Sequence, residues 1–145
     1  MKKWLVLAVI AVSSGIGMTY PQSVQVEQPI KIAAKKTAAK PLFVMIKASW
    51  CPACKHIAPA LKKVKKEYGT KAQFVTFDVS DKKNQTQASA EAKKLGLEKF
   101  YKKFKARTAT VAIVHPKTKK VLKLFQAERK SDVYFKALDK ALKKI

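Results

Sequence analysis

The sequence predicts an α/β fold, a central mixed β-sheet flanked by helices on both faces. Three observations carry this. Short apolar runs near 42–46, 74–79, 110–114 and 121–125 alternate with segments of helical period. Their order is strand–helix–strand–helix–strand–strand–helix. A right-handed crossover would then make the first two strands parallel, and the last two strands close as an antiparallel hairpin. The 145 residues allow one ordinary domain, and an apolar share of 48% is enough to pack its core.

The domain begins at Pro41. Leu42 to Ile46 is an unbroken apolar run of strand formers, the pattern of a strand covered on both faces. A helix follows over Pro52 to Tyr68. Ile57, Leu61, Val64 and Tyr68 share one face of it, Lys62, Lys63, Lys65 and Lys66 the other, and Gly69 stops it. Phe74 to Val79 is the second strand, and a helical region from Asn84 to Phe104 is broken near Gly96. Phe100, Tyr101 and Phe104 recur at helical spacing and read as core. Thr110–Val114 and Val121–Phe125 are strands joined by a turn over Pro116-Lys117-Thr118-Lys119. Ser131 is expected to cap a last helix, with Asp132 in its first turn and Lys143 and Lys144 in its last, as the helix dipole prefers. Tyr134, Leu138, Ala141, Leu142 and Ile145 would form its buried face.

Ahead of the domain, residues 1–20 read as an export signal or N-terminal anchor. Lys2 and Lys3 precede the apolar stretch Trp4 to Val12, which is shorter than the ~20 residues a bilayer span needs. Small residues at Gly15 and Gly17 mark a poorly defined cleavage region, and both cysteines lie well beyond it, unlike a conventional lipoprotein. The body is therefore expected outside the cytoplasm, in a periplasm or equivalent space. Residues 21–40, interrupted by Pro21 and Pro29 and ending in an Ala/Lys run, read as a linker, with Val24, Val26, Ile30 and Ile32 as a weak candidate edge strand.

Lysine and arginine outnumber the acids 32 to 9, a formal charge of +23. Arg107 and Arg129 are the only arginines, an imbalance that argues against nucleic-acid readout, which leans on the planar guanidinium fork. The lysine coat suits solubility first, and then an acidic protein or an anionic membrane surface as partner.

The chemistry sits in Trp50-Cys51-Pro52-Ala53-Cys54, where the first strand ends and the first helix begins. Cys51 falls at the helix N-terminus, where unpaired amides and the dipole favour a thiolate. Lys55 and Lys47 would add positive potential. Cys54, one turn further in and shielded, suits the resolution of a mixed disulfide. A purely structural disulfide would close almost no loop and so restrain the unfolded chain little.

The segment WCPACKHIAPAL, Trp50 to Leu61, resembles the active-site segment of thioredoxins, with Lys55 after the pair and Pro59 in mid-helix. The likeness extends over Pro41 to Ile145 and implies the thioredoxin fold for 41–145. It implies thiol–disulfide oxidoreductase activity toward protein disulfides or dithiols, Cys51 attacking and Cys54 resolving. No cofactor is implied beyond the redox-active disulfide Cys51–Cys54, and a monomer is expected. Trp50, Pro52, Ala53 and Lys55 would support the pair, and Trp50 would act as a lid beside the thiolate. Arg107, Thr108, Ala109 and Thr110 would form the substrate-docking loop.

Three positions depart from the family. Met45 stands where its buried aspartate is usual and Thr76 where that aspartate's lysine partner is usual. Ala109 stands at the position of its cis-proline. A cis bond before a non-proline residue costs roughly 2.5–4 kcal/mol, so the bond before Ala109 is expected to be trans. The change also keeps open a second function, a thioredoxin-fold binding module for a metal or an acidic partner with little redox turnover. Within one chain no metal site is expected. Zinc wants four ligands, and His115 at the far end of its strand would lie some ~15 Å from the cysteines at about 3.3 Å per residue. His56 reads as a solvated helix residue.

Overall fold

The computed structural model describes residues 39–145; the export signal, most of the linker and the weak strand over Val24–Ile32 lie outside the described residues. Four strands, β1 (Leu42–Lys47), β2 (Gln73–Asp78), β3 (Thr110–Val114) and β4 (Val121–Gln126), form one sheet in the order β2-β1-β3-β4. Four helices accompany them: α1 (Pro52–Tyr68), α2 (Lys82–Lys94), α3 (Glu98–Phe104) and α4 (Ser131–Leu142). β1 and β2 are parallel, with Phe43 opposite Phe74, while β3 runs antiparallel to both β1 and β4. This is the mixed α/β sheet the element order predicted.

Alternation along β1 sorts the layers, because successive side chains of a strand point to opposite faces. Phe43 meets Tyr134 of α4, and on the other face Phe77 of β2 meets Tyr101 of α3. α1 and α4 pack together, joined by the Tyr68 hydroxyl donating to Asp139 at 2.7 Å. β1 and β3 are thereby enclosed from both sides, which places the C-terminal end of β1, and with it the cysteine pair, at the centre of the sheet.

Tyr134 anchors this packing. Its ring is fully buried, edge-on to Phe125 at 4.8 Å, and its hydroxyl donates to the Glu128 carbonyl at 2.8 Å. Tyr134→Phe should therefore keep the fold and lose about 1 kcal/mol, the net worth of one such bond. Urea unfolding checks this, with a lower midpoint and an unchanged slope.

Several local expectations need correction. Ser131 is the first residue of α4 rather than its cap; Lys130 holds that place and no side chain caps the helix there. Lys140 is the basic residue of the last turn, Lys143 being the C-cap. Leu142 is half-buried and Ile145 is 40% exposed, so the buried face of α4 is Tyr134, Leu138 and Ala141. Gly69 does end α1, but in right-handed geometry (φ −56°); a Cβ there would sit 2.7 Å from the Lys65 carbonyl oxygen, which is why the smallest residue fits. Gly96, at φ +69°, does break the α2–α3 region in the left-handed conformation that glycine tolerates. The hairpin register shifts between Ile113 and Val114, which pair with Lys123 and Val121 and leave Leu122 as the extra residue of a bulge.

Candidate active site

β1 ends at Lys47 and the chain turns through Ala48-Ser49-Trp50 before α1 begins. The Cys51 amide donates to the Ala48 carbonyl at 3.2 Å, closing this turn. Cys51 is the N-cap of α1, in extended backbone geometry, and its sulfur accepts the Cys54 amide at 3.1 Å. A thiol thus occupies the place that serine or aspartate usually fills, facing amides that no helical carbonyl satisfies. Pro52 follows at the first helical position, where its missing N–H costs nothing.

Both cysteines are free thiols. Burial alone pushes the Cys51 thiol up. Hydrogen bonds from the Cys54 thiol, the Thr108 hydroxyl and the Cys54 and Ala53 amides outweigh it and hold the group below the usual thiol value. Cys54 moves the other way: burial, then the hydrogen bond and negative charge of Cys51, raise it against the amides of Ala48 and Ala109. Cys54 is shielded, as expected, and Cys51 is enclosed as well. Cys51 is 2% exposed and Cys54 8%, so the first cysteine is as enclosed as the second.

The shifts set the order of reactivity. A lowered pKa means more thiolate at a given pH, so Cys51 should react faster than Cys54 with iodoacetamide near neutrality. Its rate should reach half its plateau at a lower pH than that of an ordinary thiol, and that of Cys54 at a higher one. Thr108→Val removes one donor and should move the Cys51 midpoint upward. Peptide-resolved alkylation across pH measures both; one shared midpoint at or above the ordinary value contradicts the assignment.

A second network, not foreseen from the sequence, holds the turn from the β2 side. Ser80 donates from its amide (2.9 Å) and its hydroxyl to Asp78 Oδ1. Its hydroxyl oxygen accepts the Ser49 amide at 2.8 Å, and its carbonyl accepts the Trp50 indole N–H at 3.1 Å. Lys47 Nζ lies 3.1 Å from Asp78 Oδ2. Burial would raise the Asp78 carboxyl, but Ser80 and Lys47 hold it below the usual range, so the network is built on a carboxylate. One reading changes accordingly. The Lys47 charge is matched by Asp78 rather than offered to Cys51. Trp50 is 63% exposed and tied to Ser80, its ring bordering a hollow with Val79, Gln85, Lys105 and Ala106.

The four residues of the loop opposite the cysteines differ in exposure. Arg107 is exposed and Thr108 half-buried, but Ala109 and Thr110 are fully buried and present no side-chain surface. The bond before Ala109 is trans, as expected, and Ala109 takes a left-handed conformation at φ 59°. Its amide donates to the Ile46 carbonyl and its carbonyl accepts the Ala127 amide, both at 2.9 Å. Gln126, which no sequence signal singled out, donates from its side chain to the Thr108 carbonyl at 2.8 Å. The Thr110 hydroxyl lies 2.7 Å from both Gln126 Oε1 and the Arg107 carbonyl, and with one proton donates to one at a time.

Of the remaining candidates, Lys55 adjoins Cys54 and lines the same groove beside it. Lys55, His56 and Pro59 are exposed on α1. His115 closes the hairpin turn, its Nδ1 accepting the amides of Lys117 and Thr118 at 3.2 Å. Among the described residues, no three His, Cys, Asp or Glu side chains gather as a metal site.

A dithiol at the N-terminus of the helix that follows a central parallel strand, with one thiol lowered and its neighbour raised, defines a thiol–disulfide protein. The comparisons agree. The thioredoxin family model matches residues 27–125, and the chain belongs to the thioredoxin family. It is 32% identical over 59 residues to a "Thiol:disulfide interchange protein TxlA homolog" of Synechocystis. That match covers 41% of this chain and 33% of the relative, so the chain spans about a third of the length of the curated relative it matches. Among solved structures, the exposed lipoprotein thioredoxin Etrx1 of Streptococcus pneumoniae superposes with a TM-score of 0.50 at 20% identity, covering 71% of this chain and 86% of that one. A thioredoxin of Fasciola hepatica gives 0.47 at 17% identity, covering 71% and 82%. The Etrx1 likeness speaks for the fold alone.

Proposed function

We propose that the protein is an exported thiol–disulfide oxidoreductase that exchanges disulfides with protein partners through Cys51-Pro52-Ala53-Cys54. The observation that carries this is the opposed pair of thiols, Cys51 held toward thiolate at a helix N-terminus and Cys54 held protonated beside it. The Cys51 thiolate attacks one sulfur of a partner disulfide, forms a mixed disulfide, and expels the other sulfur as a thiolate that takes up a proton. Cys54 then loses its proton, attacks the Cys51 sulfur, and releases the second partner thiolate. Two electrons pass to the partner, and the reverse sequence oxidises a dithiol.

Cys54 lines a groove with Lys47 and Thr76, and no carboxylate lines that groove. Water in the groove is the natural acceptor for its proton, in place of the aspartate that Met45 replaces. The Lys2–Lys3 pair and the apolar run after it support work outside the cytoplasm, where protein disulfides persist. The lysine coat favours partners with acidic surfaces. Cys54→Ser, expressed at full length, should accumulate mixed disulfides with extracytoplasmic proteins, resolved by mass spectrometry after fractionation. Recovery with cytoplasmic proteins alone contradicts export, and no adduct at all contradicts exchange.

A further inference from the structure

The groove beside Cys54 has an apolar length that proton transfer from the thiol does not account for. It runs between α1 and the sheet for about 400 Å³ and ends at Cys54. Its floor is apolar: Met45 and Phe74 from the strands, Ala58 and Leu61 from α1, all partly open to solvent. Its rim is basic. Lys55, Lys62 and Lys65 border it and have no acidic partner among the described residues, whereas Lys47 is matched by Asp78.

We propose that this groove binds a medium-chain fatty acid, its hydrocarbon chain on Met45, Leu61 and Phe74 and its carboxylate between Lys62 and Lys65. Those two lysines are i,i+3 neighbours on α1 and can face one headgroup together. At about 1.5 Å of rise per residue they stand roughly 12–16 Å along the helix from Cys54, a length for a chain of about twelve carbons. A peptide fits the groove less well, because its backbone amides and carbonyls would meet a floor with almost no hydrogen-bonding partners.

The test titrates dodecanoate, below its micellar concentration and at physiological salt, into the full-length protein carrying 13C-methyl methionine. The Met45 signal, assigned by its loss in Met45→Leu, should shift saturably. Decanoate should bind about tenfold more weakly, somewhat less than full burial of two methylenes at about 0.8 kcal/mol each would give. Lys62→Glu/Lys65→Glu should weaken dodecanoate at least tenfold while circular dichroism stays unchanged. Neutral dodecyl maltoside and cationic dodecyltrimethylammonium should be weaker by a similar factor. Equal affinity for the neutral tail, no effect of the charge reversal, or a Met45 signal that dodecanoate never shifts would overturn the proposal. So would an equal Met45 shift with anionic vesicles, which would make a lipid surface the ligand. Because Met45 reports binding directly, none of these outcomes depends on the redox reading.

Discussion

Cys51→Ser should reduce disulfide exchange to the rate seen without protein, while leaving the fold intact. Serine is among the preferred N-cap residues and its hydroxyl can accept the Cys54 amide as the thiol does, so stability is preserved and the loss is one of chemistry. An alcohol at that place is neither ionised near neutrality nor able to form a disulfide. Cys54→Ser should behave differently, making the first attack and then stalling as the mixed disulfide. Turnover of a model protein disulfide, with urea unfolding alongside, separates the two. Retained turnover in Cys51→Ser would move the nucleophile elsewhere.

Ala109→Pro should destabilise the domain by about 3 kcal/mol or more. Proline locks φ near −65°, whereas Ala109 sits at +59°, and proline has no amide to donate to Ile46. The loop carrying Thr108 would have to rebuild, and the hydroxyl beside Cys51 would move with it. Ala109→Gly should do the opposite. A side chain in the left-handed region costs roughly 1–2 kcal/mol, and glycine relieves that at some expense in unfolded-chain entropy, for a net gain of up to about 1 kcal/mol. Urea midpoints decide both. A proline variant as stable as the parent would show that the loop favours the family's cis geometry and that alanine merely tolerates its absence.

The contrast between Ala109 and α1 marks what the sequence makes legible. The bounds of α1 follow from a proline at its first position and an apolar stripe that only a helical period explains. The cysteine pair was legible for the same reason, since its chemistry depends on local geometry. Nothing in the letters Arg-Thr-Ala-Thr announces a left-handed alanine, because alanine disfavours that conformation and only bonds to Ile46 and Ala127, distant in sequence, impose it. Gln126 was illegible likewise: it reaches Thr108 only through the β3–β4 register. The Ser80 network had a local sign, an aspartate two residues before a serine at a strand end, which is turn chemistry. Its consequence for Ser49 and Trp50 required the parallel pairing of β1 with β2. Ser131 misled because a hydroxyl before a helix reads as a cap, whereas α4 starts one residue earlier in phase.

The central claim is that Cys51 and Cys54 interconvert reversibly between dithiol and disulfide. Equilibrating the protein in glutathione and dithiothreitol buffers of graded potential, trapping free thiols by alkylation and counting them by mass tests it directly. The account predicts a two-electron transition in which both thiols are lost together. A midpoint near about −270 mV would assign the protein to reduction and one near about −120 mV to oxidation. Thiols that never form a reversible disulfide across that range, or that are lost one at a time, would contradict it.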